Sequence, residues 1–163
     1  MDKRQLDFNI GNTSTGKDEW LTPPNILYAL GEFDLDPCAP KNRPWATAKT
    51  HYTKSDNGLL LPWKGRVWLN PPFGAGVDKW LERLCGHGNG VALLPARTET
   101  NTYFTWVWEK AASVLFLAGR LHFYHGNGKK AGPAGWGCCL VAYGGDNTAT
   151  LAGCGLRGKL ISL

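Results

Sequence analysis

The stretch Val67-Trp68-Leu69-Asn70-Pro71-Pro72-Phe73-Gly74 decides how the rest of the chain is read. Val67 to Leu69 form an unbroken apolar run of strand-forming residues, and the two prolines stop it because neither donates to a sheet ladder. With φ fixed at two successive residues, the chain leaves the sheet as a stiff shelf at the strand's C-terminal end. In open α/β sheets that end is where ligands bind.

The shelf carries two acceptors, the side-chain carbonyl of Asn70 and the backbone carbonyl of Pro71, with the flat face of Phe73 beside them. A nucleobase bearing an exocyclic amine matches this set, since the amine has two N–H donors and its ring stacks on an aromatic. Two acceptors orient the nitrogen lone pair and stabilise the positive charge that develops as the nitrogen attacks an electrophile. Asn70, Pro71, Pro72 and Phe73 are therefore the candidate catalytic residues. The plainer alternative is a proline-rich loop closing a strand, with Phe73 in the core, and the tetrapeptide alone leaves it open.

Upstream, Thr22 suits a helix N-cap and Pro23 a first helical residue, ahead of a short helix through Ile26, Leu27 and Leu30 that Gly31 ends. Phe33 to Asp36 reads as a short strand with Phe33 and Leu35 on one face. It breaks at Pro37 and leaves the Asp36 carboxylate at the ligand edge. A second strand is expected within Ala46 to Thr53, and Ser55 to Leu59 is a turn carrying Asp56.

Downstream, Val77, Trp80, Leu81 and Leu84 space a helix that Gly86 stops, with Trp80 in the core. Gly90 to Leu94 is a buried strand broken at Pro95, and Arg97 to Thr100 form a polar loop at the same edge. A helix packing through Tyr103, Phe104, Val107, Trp108 and Ala111 precedes a strand from Val114 to Leu117. Leu121 to Tyr124 and Cys138 to Tyr143 look like an antiparallel pair around a loop with five glycines and Lys129-Lys130. A short strand near Leu160 to Leu163 closes the edge. The expected fold is α/β, a mostly parallel sheet with an antiparallel edge hairpin.

The 163 residues suit one domain, residues 18–163, behind a loose polar arm over residues 1–17, with no room for a separate recognition domain. A hydrophobic share of 43% with 19% charged residues is that of a globular protein, and a formal net charge of +5 favours a polyanionic partner. Neither an apolar run of membrane-spanning length nor an apolar N-terminal segment of signal-peptide type is present, so a cytoplasmic location is expected. Cys38, Cys85, Cys138, Cys139 and Cys154 lack paired metal-ligand spacing and read as reduced thiols.

Six pieces stand in a particular order: Trp20-Leu21-Thr22-Pro23, Phe33-Asp34-Leu35-Asp36-Pro37-Cys38-Ala39, Asp56-Asn57-Gly58-Leu59 with Trp63, Trp68 to Phe73, Leu94 to Thr100, and Gly119-Arg120-Leu121-His122-Phe123. Together they resemble the phage-type DNA N6-adenine methyltransferase family, over about Glu19 to Tyr143. The order is also similar to the γ arrangement of amino-methyltransferases on a Rossmann-like fold.

The resemblance implies an enzyme that moves a methyl group from S-adenosylmethionine to N6 of an adenine flipped out of DNA, with no metal required. Trp20, Thr22, Pro23, Asp36, Pro37, Cys38, Ala39 and Asp56 would form the cofactor site. Within it, Thr22 and the backbone beside Pro23 would meet the carboxylate, Asp36 the amino group, and Asp56 the cofactor's adenine. Asn70 to Phe73 would hold the target adenine, and Phe123 would cover its other face. Arg97, Arg120, Lys129 and Lys130 are the candidate DNA contacts.

Two departures accompany the resemblance. The first loop is Pro37-Cys38-Ala39-Pro40 rather than glycine-rich, and Ala48 to Tyr52 offers no carboxylate for a ribose. The alternatives are cytosine-N4 or RNA adenine methylation, and a non-catalytic nucleic-acid-binding module on the same shell. The expected setting is a monomer or weak dimer, with no membrane partner, in a bacterial host cell, protecting phage DNA against restriction.

Overall fold

The computed structural model describes residues 19–163, so the expected arm over residues 1–17 lies outside the described residues. Seven strands form the main sheet: β1 (Leu35–Asp36), β2 (Thr50–His51), β3 (Val67–Leu69), β4 (Gly90–Pro95), β5 (Ser113–Leu117), β8 (Cys138–Tyr143) and β9 (Gly158–Ser162). Their order is β2-β1-β3-β4-β8-β5-β9. The pairs β1–β2, β1–β3 and β3–β4 are parallel, while β8 is antiparallel to both β4 and β5, and β9 to β5. The result is a mixed α/β fold with a mostly parallel sheet and two reversed strands. A second, two-stranded sheet pairs β6 (His122–Tyr124) with β7 (Lys130–Pro133).

Alternation along β3 divides the core. Val67 and Leu69 face Leu81 and Leu84 of helix α2 (Val77–His87), and Val107 from the helical segment that begins as α3 (Asn101–Tyr103) and widens into a π turn over Phe104–Trp108. Trp68 faces the other way, against Ile26 and Leu30 of α1 (Pro24–Leu30), Phe33, and Leu151 of α4 (Gly145–Gly153). Val67, Trp68 and Leu69 are all fully buried, so the strand that carries the shelf is clamped on both faces.

Several expectations are corrected. Leu121 to Tyr124 does not pair with Cys138 to Tyr143. The six residues of β8 are all buried, an apolar run suited to a strand covered on both faces, and it inserts between β4 and β5. β6 instead pairs with β7, cut from the glycine-rich segment. Of the two reversed strands, β8 is thus interior to the sheet and only β9 lies at its edge, and neither is half of a hairpin with β6.

At α1 the cap residue is Pro23, with Pro24 first in the helix, and the Thr22 side chain makes no cap bond. Phe33 and Leu35 point to different clusters because the ladder begins only at Leu35, after a bend at Asp34. Gly86 is inside α2. The helix ends at Gly88, whose φ of 74° is left-handed and whose N–H returns to the Leu84 carbonyl at 2.9 Å. Helix α4 falls in a stretch to which the sequence assigned no element.

Candidate active site

The chain leaves β1, β2 and β3 on the same side of the sheet, and a cleft of about 1230 Å3 opens there. Asn70, Pro71, Pro72 and Phe73 line it from the end of β3. Pro37 to Pro40, from the end of β1, line it as well, as do Thr53, Lys54, Asn57 and Gly58, from the end of β2. Glu19, Trp20, Asn42, Trp80 and the loop His125–Gly126–Asn127 complete the lining.

On the shelf, the Asn70 side-chain nitrogen donates to the Trp20 carbonyl at 3.3 Å and to the Thr22 hydroxyl oxygen at 3.4 Å. Its carbonyl oxygen has no partner among the described residues, and neither does the carbonyl of Pro71. Both residues line the cleft, so among the described residues the shelf has two carbonyl oxygens without a partner, which a ligand's N–H groups can complete. Phe73 is half-buried and held edge-on by Phe123 at 6.5 Å and Trp136 at 6.1 Å between ring centroids.

The second wall is held from behind. Asp36 is 1% exposed; its carboxylate accepts from the Cys38 N–H at 3.0 Å and from the Thr47 hydroxyl. Burial pushes the Asp36 carboxyl up to about 6, and the two hydrogen bonds oppose that shift only in part. His51 Nε2 accepts the Thr47 and Ala48 N–H groups at 3.2 and 3.3 Å, which needs a neutral ring; burial holds its pKa down. Burial also pushes the Cys38 thiol up to about 12, so the sulfur on the cleft wall stays protonated.

Asp56 closes its own turn. Its carboxylate accepts the Thr53 N–H at 2.7 Å and the Thr53 hydroxyl at 2.8 Å, and both bonds hold it below the usual carboxylate range. Asn57 follows with φ of 54°, and Gly58 presses on the first loop: an added Cβ would strike the Pro37 carbonyl oxygen and lie 2.9 Å from its carbon. Only glycine lets these two backbones touch. The Trp63 indole N–H caps the Gly58 carbonyl at 2.8 Å and stacks toward Trp80, 6.4 Å away.

A family model described as DNA N-6-adenine-methyltransferase (Dam) matches residues 11–144. The chain belongs to the Dam family. It is a DNA adenine-N6 methyltransferase, and DNA is its substrate. No curated protein and no solved structure matches it.

For a Dam-family enzyme, the cleft gathers a specific part of the sequence-derived set. Asn70, Pro71, Pro72, Phe73, Trp20, Pro37, Cys38 and Ala39 line it together. Thr22, Pro23, Asp36 and Phe123 are buried and Asp56 is exposed; none of the five lines it. Phe123 supports Phe73 from behind.

Arg97, Arg120, Lys129 and Lys130 are all exposed and outside the cleft. Arg97 pairs with Glu99 at 3.1 Å, and Arg120 donates to the Ala134 carbonyl at 3.2 Å. The Trp80 ring, expected in the core, packs against it and also reaches the cleft. Sequence reading missed Asn42, Lys54, Asn57 and Asn127 as lining residues. Only Asn57 carried a signal, as the partner of Asp56 in an Asp-Asn-Gly turn. Among the described residues no cluster of three or more His, Cys, Asp or Glu suits a metal, and no helix is long and apolar enough to cross a membrane.

Proposed function

We propose that this enzyme takes its methyl group from S-adenosylmethionine and methylates an adenine rotated out of the DNA stack into the cleft, on a Rossmann-like methyltransferase sheet. The observation that carries the reading is the free carbonyl oxygen of Asn70 on a rigid shelf, next to Phe73 and inside a cleft roomy enough for two ligands. About 1230 Å3 exceeds the volume that one small ligand fills, and a nucleoside cofactor together with a flipped base needs that space.

The lining suits the cofactor. Trp20 and Trp80 give flat faces for a nucleoside, Asn42 and Asn57 give amides, and Glu19 and Lys54 give one charge of each sign for an amino-acid end. Pro37, Cys38 and Ala39 would hold the cofactor by shape. Asp36 beneath them supplies negative potential toward its positive charge, and Asp56 fixes the turn that presents Asn57 and Gly58. Thr22 and Pro23 act from behind the wall. When bound, the cofactor supplies a methyl group already activated on a sulfonium.

The chain's residues then do three things. Phe73 stacks the adenine ring, with Phe123 and Trp136 keeping its plane fixed. Asn70 Oδ1 and the Pro71 carbonyl accept the two N6 protons, aim the nitrogen lone pair and stabilise the charge that grows on N6. Pro72 keeps the shelf from yielding, so the reacting atoms stay within attack distance. The surplus N6 proton leaves to water after transfer. The basic residues Arg97, Arg120, Lys129 and Lys130 would meet phosphates outside the cleft.

The test is transfer from methyl-labelled S-adenosylmethionine to unmethylated DNA, followed by nucleoside analysis. Label in N6-methyladenine is expected. Label confined to N4-methylcytosine, or label in an RNA substrate supplied in parallel with none in DNA, overturns the reading.

A further inference from the structure

The Asn70 amide has two chemically opposite ends, and only one of them is useful in the cleft. With the oxygen forward it accepts from an amine; with the nitrogen forward it sets donor against donor. The structure contains a device that decides between them. The Trp20 backbone carbonyl, 3.3 Å from the amide nitrogen, can only accept, so it can face only the NH2 end. The Thr22 hydroxyl oxygen, 3.4 Å away, takes the second contact; a hydroxyl serves either end of an amide, so it anchors the side chain in the orientation that the Trp20 carbonyl selects. Thr22 is 1% exposed, makes no cap bond to α1 and does not line the cleft, so its hydroxyl is free for this duty.

The segment is itself pinned. Leu21, between the two acceptors, exchanges both backbone hydrogen bonds with Tyr124 of β6, at 2.8 and 3.0 Å, and the Trp45 indole N–H holds the Thr22 carbonyl at 3.1 Å. Acceptors fixed by a strand pairing form a rigid template.

We infer that Thr22 is a positioning residue for methyl transfer, the second anchor of an Asn70 amide whose oxygen-forward orientation is set by the Trp20 carbonyl. The inference rests on the role proposed for Asn70. Without the hydroxyl, one of two contacts holding the amide is lost, and its carbonyl oxygen is less firmly fixed against the amine. A single hydrogen bond of ordinary strength makes that a roughly five- to tenfold loss of kcat.

The experiment compares Thr22→Val with Thr22→Ser, measuring kcat, cofactor Kd, melting temperature and hydrogen exchange of the Asn70 side-chain NH2 by NMR. Expected are a roughly five- to tenfold lower kcat for valine, unchanged cofactor Kd, faster exchange of the Asn70 NH2 protons, and recovery of kcat and slow exchange with serine. A raised cofactor Kd with kcat preserved at saturation would make Thr22 a cofactor contact and overturn the inference, leaving the proposed function intact. Unchanged kcat and exchange in the valine variant overturn it too. If the valine variant does not fold, Thr22→Ala is measured in the same way, with the same outcomes deciding, and Asn70 NH2 protons that exchange as fast as a free amide in the unsubstituted enzyme overturn the inference. Absence of adenine methylation by the unsubstituted enzyme is a different result and removes the proposed function instead.

Discussion

The two walls of the cleft do their work from opposite sides. On the shelf, Asn70 and Phe73 present their own side chains to the ligand space, and other residues hold them there. On the second wall, the side chains that drew notice in the sequence, Asp36 and Asp56, stand behind or away from the surface, and their oxygens are taken up by Cys38, Thr47 and Thr53. What faces the cleft there is mostly Pro37 to Pro40 and the Asn57–Gly58 turn. On the proposed function, one wall would recognise through functional groups and the other through a shape fixed from the rear, so substitutions should separate them by which measurement they change.

The largest effect belongs to Asn70. Asn70→Ala removes the forward acceptor, and by analogy with deleting one group that stabilises transition-state charge, kcat should drop about 10²- to 10³-fold. Cofactor Kd should not change. Asn70→Asp keeps an oxygen toward the amine and should retain more turnover than alanine. Near-normal kcat in Asn70→Ala would show that the shelf recognises nothing through this side chain.

Asp36 comes next, and its signature is pH. Its folded pKa of about 6 lies above the ordinary 3.8, so the native state prefers the protonated acid. That preference contributes fully below about pH 3.8 and is lost as pH rises through about 6; above 6 the ionised buried group costs up to about 3 kcal/mol. Asp36→Asn keeps the shape without the charge. It should raise the melting temperature at pH 8 and leave it little changed at pH 4. If the charge attracts the cofactor through the loop, cofactor Kd should fall as pH rises through about 6 in the unsubstituted enzyme, and the neutral amide of the Asp36→Asn variant should flatten that profile. A titration curve identical in both proteins would confine Asp36 to holding the loop.

How far these walls could be foreseen depends on what each residue's role requires. Val67 to Phe73 was legible because a buried run cut by two prolines has few other solutions. Its place at the ligand edge follows from the strand's direction. The position of β8 was not legible: Cys138 to Tyr143 announces a buried strand, but nothing local says that it slots between β4 and β5 instead of returning to β6. The acids were legible as residues at strand ends and turns. Which way a carboxylate turns depends on Thr47, eleven positions on from Asp36, and no local pattern encodes that partner. Trp80 sits at core spacing on α2 yet lies in the helix's first turn, close enough to the shelf to reach the cleft.

Phe73 and Phe123 sharpen the contrast within the shelf. Both are aromatic and they touch, but only Phe73 lines the cleft. Phe73→Leu should weaken base capture by about 1–3 kcal/mol, read as a higher KM for DNA with a small change in melting temperature. Phe123→Leu should instead lower stability by less than about 1.5 kcal/mol and leave KM near normal. Equal KM effects from the two would mean that Phe123 acts on the base through the ring in front of it.

The smallest effect is expected at Asp56, where the two accounts of the second wall part. If its carboxylate met the cofactor's adenine directly, Asp56→Ala would lose a hydrogen bond and raise cofactor Kd by about two- to tenfold. In the structure both bonds go to Thr53, so alanine loosens a turn whose neighbours Asn57 and Gly58 do the facing. The change in Kd should therefore be at the bottom of that range. Thr53→Val, which removes the hydroxyl partner and leaves the Asp56 carboxylate in place, discriminates further. A turn-holding Asp56 makes Thr53→Val, which removes one of the two bonds, raise Kd by part of the alanine effect, with the double variant no worse than Asp56→Ala alone. A ligating Asp56 leaves Kd normal in Thr53→Val and raises it in Asp56→Ala. Because the carboxyl is held below its ordinary range, neither variant should alter the pH profile between about 5 and 8, which keeps this measurement separate from the one at Asp36.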